Sequence, residues 1–238
     1  MSATTQREQA LTLPFPKASV GRKLLVSLSG LFLVVFLLVH LGVNLTLYGG
    51  RDLYNTVAHW MATNPAILAM RPVLALGALL HVVVSTWLWA GNLDARPQRY
   101  EMVDRAGGST WASRNMLVLG AVVLLFLALH VSTFSVRLAF GTPPMTELHG
   151  AEIKDVHALV TASFGIWWYA ALYFTAIVFL GLHLSHGFQS ALQTLGLSDA
   201  AWRRRWTLLG NIYAVTVAAG FASLPLYFFV QARMGSTP

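Results

Sequence analysis

Five apolar runs, separated by shorter polar stretches, set the pattern of this chain. They cover residues 24–47, 70–91, 114–138, 165–192 and 207–231. Each is long enough for the roughly 20 helical residues that cross a bilayer. The pattern predicts an all-α integral membrane protein with five transmembrane helices. Gly49-Gly50 closes the first run, Pro72 is read as opening the second, and Gly141, Pro143 and Pro144 follow the third. Pro225 falls inside the fifth, where a kink is expected. Residues 145–163 carry Glu147, Glu152, Lys154 and Asp155 and read as a polar connection with room for a short surface helix. No tandem repeat is evident.

Composition narrows this picture. The 238 residues are 56% hydrophobic and only 11% charged, against about 25% charged in soluble domains. Residues 1–238 therefore read as one membrane domain with a polar segment at 1–23 and short loops. The first apolar run begins at Leu24 with no small-residue cleavage site after it, so it reads as a span rather than a removable leader. There is no cysteine, which excludes Cys-ligated iron–sulfur clusters, thioether-bound haem and disulfides.

The net charge of +7 reads as topology rather than nucleic-acid binding. With a cytoplasmic N-terminus, eleven of the sixteen Lys and Arg side chains fall inside. They are Arg7, Lys17, Arg22 and Lys23, then Arg96, Arg99, Arg105 and Arg114, and last Arg203, Arg204 and Arg205. The positive-inside rule then places the N-terminus in the cytoplasm and the C-terminus outside. Trp111, Trp202 and Trp206 read as interfacial belt residues.

The histidines carry the candidate chemistry. His40, His81, His130 and His183 lie one in each of the first four runs. Ionisable residues inside a membrane are costly and mark functional sites. His40 follows Lys23 by 17 residues and His130 follows Arg114 by 16. At helical rise both lie about 25 Å from the inner end. His81 precedes Asn92 by 11 residues and His183 precedes Thr194 by 11, which puts both about 16 Å from that side. The histidines thus form an outer pair, His40 with His130, and an inner pair, His81 with His183. Each pair joins helices that run in the same direction, which are diagonal neighbours in an up-down bundle.

Two ligands alone make a poor zinc or non-haem iron site, and no intramembrane carboxylate joins them. A porphyrin supplies four further nitrogens, so the pattern predicts two b haems stacked in a bundle of the first four helices. Gly30 and Gly120 each precede an outer histidine by ten residues. They read either as clearance for the inner porphyrin or as ordinary small-residue packing. Ser27, Arg114 and Ser190 are candidate propionate partners on the inner side, Arg114 also serving as a topology anchor. His186 reads as a propionate or quinone contact, or as the fourth-helix ligand in place of His183. Asn44, Arg51, Asp52, Tyr54 and His59 lie near the outer pair. They are candidate quinone contacts, the alternative being solvated loop residues. His149 and His157 read as surface histidines.

Four stretches carry a family resemblance: VGRKLLVSLSGLFLVVFLLVHLGVNL (20–45), GNLDARPQRY (91–100), WASRNMLVLG (111–120) and, most specifically, HLSHGFQSALQTLG (183–196). In order and spacing the chain resembles the five-helix, two-haem cytochrome b558 anchor subunits of bacterial succinate dehydrogenases and fumarate reductases. The resemblance implies that His40, His81, His130 and His183 are the haem ligands. It implies a bacterial cytoplasmic membrane, menaquinone as the quinone, and an iron–sulfur subunit docked on the cytoplasmic face. That subunit would in turn bind a flavoprotein that handles succinate or fumarate. Higher-order assembly of such complexes is also implied. Some relatives carry a glutamate shortly before the fourth-helix histidine, linked to proton movement; here Gly181 and Leu182 stand there. The cytochrome b subunit of a hydrogenase or formate dehydrogenase, and a haem-free transporter with a histidine proton relay, are the competing readings.

Overall fold

The structure, a computed structural model, describes residues 19–94, 111–148 and 150–235. Five of its helices are long and apolar enough to cross a membrane, as a multi-pass membrane protein requires. The first is α1, Ser19–Leu45, followed by a 3₁₀ turn at Thr46–Gly49. Gly50, at φ +88°, reverses the chain in a conformation that favours glycine. It leads into α2, Arg51–Thr63, an amphipathic helix outside the spans.

The second span, α3, covers Pro65–Asp94. It starts five residues before the sequence reading because a cap, not hydropathy, sets its start. Asn64 Oδ1 accepts from the N–H groups of Ala66 and Ile67 at 3.0 and 3.3 Å, and Pro65 occupies the first helical position. Pro72 therefore lies inside the helix rather than opening it.

A single turn, α4, at Trp111–Arg114 precedes α5, Met116–Phe140. Within α5 the backbone changes from α to π over Val131–Val136, directly after His130.

The connection to the fourth span is not all helical. Strands β1, Met145–Leu148, and β2, Ala151–Lys154, pair antiparallel around Gly150, with Thr146 opposite Ile153. Helix α6, Val156–Gly165, follows, capped by Asp155. The predicted short helix is present, but it is packed inward rather than lying on the surface: His157, Leu159, Val160 and Phe164 are buried. Spans α7, Trp167–Thr194, and α8, Arg203–Arg233, complete the chain.

Packing fixes the order of the spans. Helix α1 lies against α3 and α7, α7 lies against α5, and α8 crosses α7 and α1. The four histidine-bearing helices thus run α3, α1, α7, α5 around the bundle. This places α1 diagonally across from α5 and α3 diagonally across from α7. Close approach of α8 depends on missing side chains. A Cβ at Gly210 would meet Phe188 at 2.7 Å, and one at Gly220 would meet Leu41 at 2.9 Å. Small residues of this kind let membrane helices gain dispersion contacts where lipid offers no hydrophobic drive.

Candidate functional site

The diagonal helices bring the histidines together in the pairs their depths suggested. The His40 and His130 rings lie 5.7 Å apart, centre to centre, at 86°. The His81 and His183 rings lie 6.3 Å apart at 78°. It is His183, not His186, that faces His81; His186 sits one turn on and half-buried. Among the described residues no three His, Asp or Glu side chains gather as a metal-ligand set. The unit of the site is the pair.

Hydrogen bonds fix the tautomer of one inner ring. His81 Nδ1 lies 3.2 Å from the Val26 carbonyl oxygen, which can only accept, so Nδ1 carries the proton and Nε2 is left as a lone pair. Ser29 Oγ lies 3.3 Å from the same nitrogen and itself donates to the Leu25 carbonyl. Backbone partners of this kind orient metal-bound imidazoles. His183 Nδ1 is buried with no partner among the described residues. In the outer pair, His130 Nδ1 is 3.3 Å from the Tyr173 hydroxyl, which accepts from Tyr169 at 2.9 Å. Asn44 Nδ2 donates to the His40 carbonyl at 2.8 Å and lies 3.4 Å from His40 Nδ1. Phe36 stacks on His40 at 5.2 Å, and Phe221 of α8 lies 5.6 Å from it.

The glycines face the inner pair. A Cβ at Gly30 would meet His81 Cε1 at 3.1 Å, and one at Gly120 would lie 3.6 Å from His183 Cε1. Both positions leave room for the imidazoles themselves. A metal held by one nitrogen from each ring would set the ring centres about 6 Å apart, so His40 with His130, and His81 with His183, could each hold one.

The remaining sequence candidates scatter. Ser27 is buried beside Val26, while Ser190 and Arg114 are exposed near the C-terminal ends of α7 and α4. Of the five quinone candidates, Asn44 sits on His40, and Asp52 and His59 are exposed on α2. Arg51 and Tyr54 belong to a polar cluster the sequence reading did not foresee. Asp155, 1% exposed, accepts from Arg51 Nε at 2.7 Å, Asn55 Nδ2 at 2.8 Å and Ala158 N–H at 3.0 Å. Asn55 Oδ1 in turn accepts from the His157 N–H at 3.0 Å. His157 is 3% exposed and so is not a surface histidine. Asp155, which opens an apolar run, was the signal available for this: a capping aspartate fixes where a helix starts. His149, and the cations at 7, 17, 96, 99 and 105, lie outside the described residues.

Charge in this cluster is balanced. Burial pushes the Asp155 carboxyl up, but its three hydrogen bonds and the Arg51 guanidinium outweigh that and hold it below the usual range. Burial lowers His157, Asp155 partly opposes this, and the ring stays neutral near pH 7. Burial raises the Tyr54 phenol to about 12.

Compared with protein-family models, curated proteins and solved structures, the chain matches none.

Proposed function

We propose that this chain is a membrane cytochrome b, the anchor subunit of a bacterial succinate:quinone oxidoreductase, with its first four spans around two stacked b haems. The observation that carries this is the pair of histidine pairs. Four ionisable side chains inside the bundle meet two by two, across both diagonals, at spacings that suit one metal each. When bound, such haems supply one-electron transfer between an iron–sulfur subunit and membrane menaquinone.

In this reading His81 and His183 hold the inner haem and His40 and His130 the outer one. The Val26 carbonyl and Tyr173 orient His81 and His130 through their Nδ1 atoms. Gly30 and Gly120 keep the inner imidazoles free of side-chain crowding. Arg114, Ser27 and Ser190 are proposed to bind propionates, Arg114 through its forked donors. The N-terminus lies in the cytoplasm, where the iron–sulfur subunit docks and bridges to the flavoprotein, and the C-terminus lies outside.

A pyridine haemochrome assay on the detergent-purified chain, with protein quantified in the same sample, tests this. About two b haems per chain are expected. A folded, inserted chain without haem would sink the reading and leave the histidines as a proton relay. Co-purification of a flavoprotein with covalent FAD separates this complex from a hydrogenase or formate dehydrogenase.

Gly30 offers a finer check. Gly30→Val places branched carbons against the His81 ring, already 3.1 Å from a Cβ there. This variant is expected to lose about half of the haem while inserting normally, with the loss confined to the inner centre in a redox titration.

A further inference from the structure

Two buried ring nitrogens lack a hydrogen-bond partner among the described residues, His183 Nδ1 and His157 Nε2. The first belongs to the inner pair. The second has no role in the histidine core. Leaving a buried polar group unsatisfied is costly, so its persistence calls for a reason.

His157 is the second residue of α6 and is held firmly. Its N–H donates to Asn55 at 3.0 Å, and Asp155 caps the helix beneath it. Among the described residues the charges acting on it are Arg51 and Asp155, and these are paired with each other. Beside it stands Tyr54, 6% exposed, whose hydroxyl makes no hydrogen bond among the described residues; the two rings lie 6.2 Å apart at 65°. Phe228 meets His157 edge-on at 6.0 Å and 89°. Two neutral protic groups thus share an aromatic enclosure without satisfying each other.

Phe228 also packs against two exposed tyrosines. Tyr227 and Tyr48 lie 5.0 and 6.3 Å from the Phe228 ring, and they are 40% and 41% exposed. Seven residues before Phe228 on the same face of α8, Phe221 lies 5.6 Å from His40. Seven residues rise about 10 Å along a helix. Helix α8 therefore links His157, through Phe228, to the exposed Tyr48 and Tyr227 and, about 10 Å further along, to the His40–His130 pair.

We infer that His157 binds the quinone headgroup, its Nε2 hydrogen-bonding one carbonyl with the Tyr54 hydroxyl beside it, and that Phe228 is the ring displaced as the headgroup enters from the lipid at Tyr48 and Tyr227. The inference rests on the proposed quinone chemistry of the chain. A planar, uncharged dicarbonyl suits the site: it needs donors and aromatic walls, and with Arg51 and Asp155 paired no net charge calls for an ion.

The test uses the detergent-purified full-length chain and a photoreactive azido-naphthoquinone, with 2,3-dimethyl-1,4-naphthoquinone as competitor and labelled peptides mapped by mass spectrometry. Label is expected on residues 51–63 or 156–165. His157→Phe is expected to weaken competition by about tenfold, the worth of one hydrogen bond, and His157→Gln, which keeps a donor, by less than about threefold. Label confined to other segments, or parent-like competition in a folded His157→Phe chain, overturns the inference. Should His157→Phe not fold, the position of the label on the parent chain decides alone. Two haems per chain with label elsewhere would overturn this site and leave the haem proposal standing. Label on α6 in a chain without haem would do the reverse.

Discussion

Alanine at His81 is expected to yield an inserted chain that retains one haem, and alanine at His130 a chain that retains the other. The pairs share no ligand: His81 faces His183 and His130 faces His40. On the proposed ligation, removing one imidazole from a pair would take away one of its two donors, while the second pair would keep both. Loss of a group that merely hydrogen-bonds a metal-bound side chain commonly costs about 10–100-fold in metal affinity, and loss of a ligand itself is expected to cost more. Haem per chain should fall from about two to about one in each variant. The centres that survive should differ in midpoint potential and in the reduced-minus-oxidised spectrum, because their surroundings differ. His130 and His40 sit among Tyr173, Phe36 and Phe221, whereas His81 sits on a backbone carbonyl. The double variant should hold none. Identical residual spectra in the two single variants would contradict the pairing.

The second large effect is expected at the outer cap. Asp155→Ala removes the acceptor of three hydrogen bonds, from Arg51, Asn55 and the N–H of Ala158. Arg51 is half exposed, so water recovers much of its share. Asn55, 1% exposed, cannot be rescued in that way. The lost helix cap and the stranded amide together are worth about 2–4 kcal/mol. The variant should melt at lower temperature in detergent and be cut by protease between 141 and 166, while haem content stays close to that of the parent.

Acid should act on the same cap in the parent chain. His157 is lowered from 6.5 by burial. As pH falls below 6.5 the unfolded chain takes up a proton that the folded one resists, and stability declines. Asp155 is lowered from 3.8, so its contribution is present above that value and is lost only as pH falls through its lower folded value. Melting temperature followed from pH 7 to 3 should therefore drop in two stages, with the acidic stage missing from Asp155→Ala.

The spans and the pairing of the histidines were legible in the sequence because both depend on distance along a helix. A rise of about 1.5 Å per residue turns position into depth, and lipid demands long apolar runs. The outer cap was not legible for the opposite reason. Of the residues of α2 only Tyr54 and Asn55 are buried; Asn55 is buried because Asp155, a hundred positions later, pairs with it. Such contacts leave no local period. Histidine 157 was misread on the same account, since charged neighbours in sequence suggested a wet surface. The start of α3 could have been found: Asn64-Pro65 is a cap signal that outranks the hydropathy rise near residue 70.

Each histidine pair draws one ring from the α1–α3 half and one from the α5–α7 half. Neither half alone presents two facing imidazoles. As the chain emerges from the ribosome, the outer pair cannot exist before residue 130 has entered the membrane, nor the inner pair before residue 183. On the proposed reading, a haem held by either pair would rivet two hairpins that could otherwise drift apart in the lipid, and neither could be clamped before the second hairpin is in place.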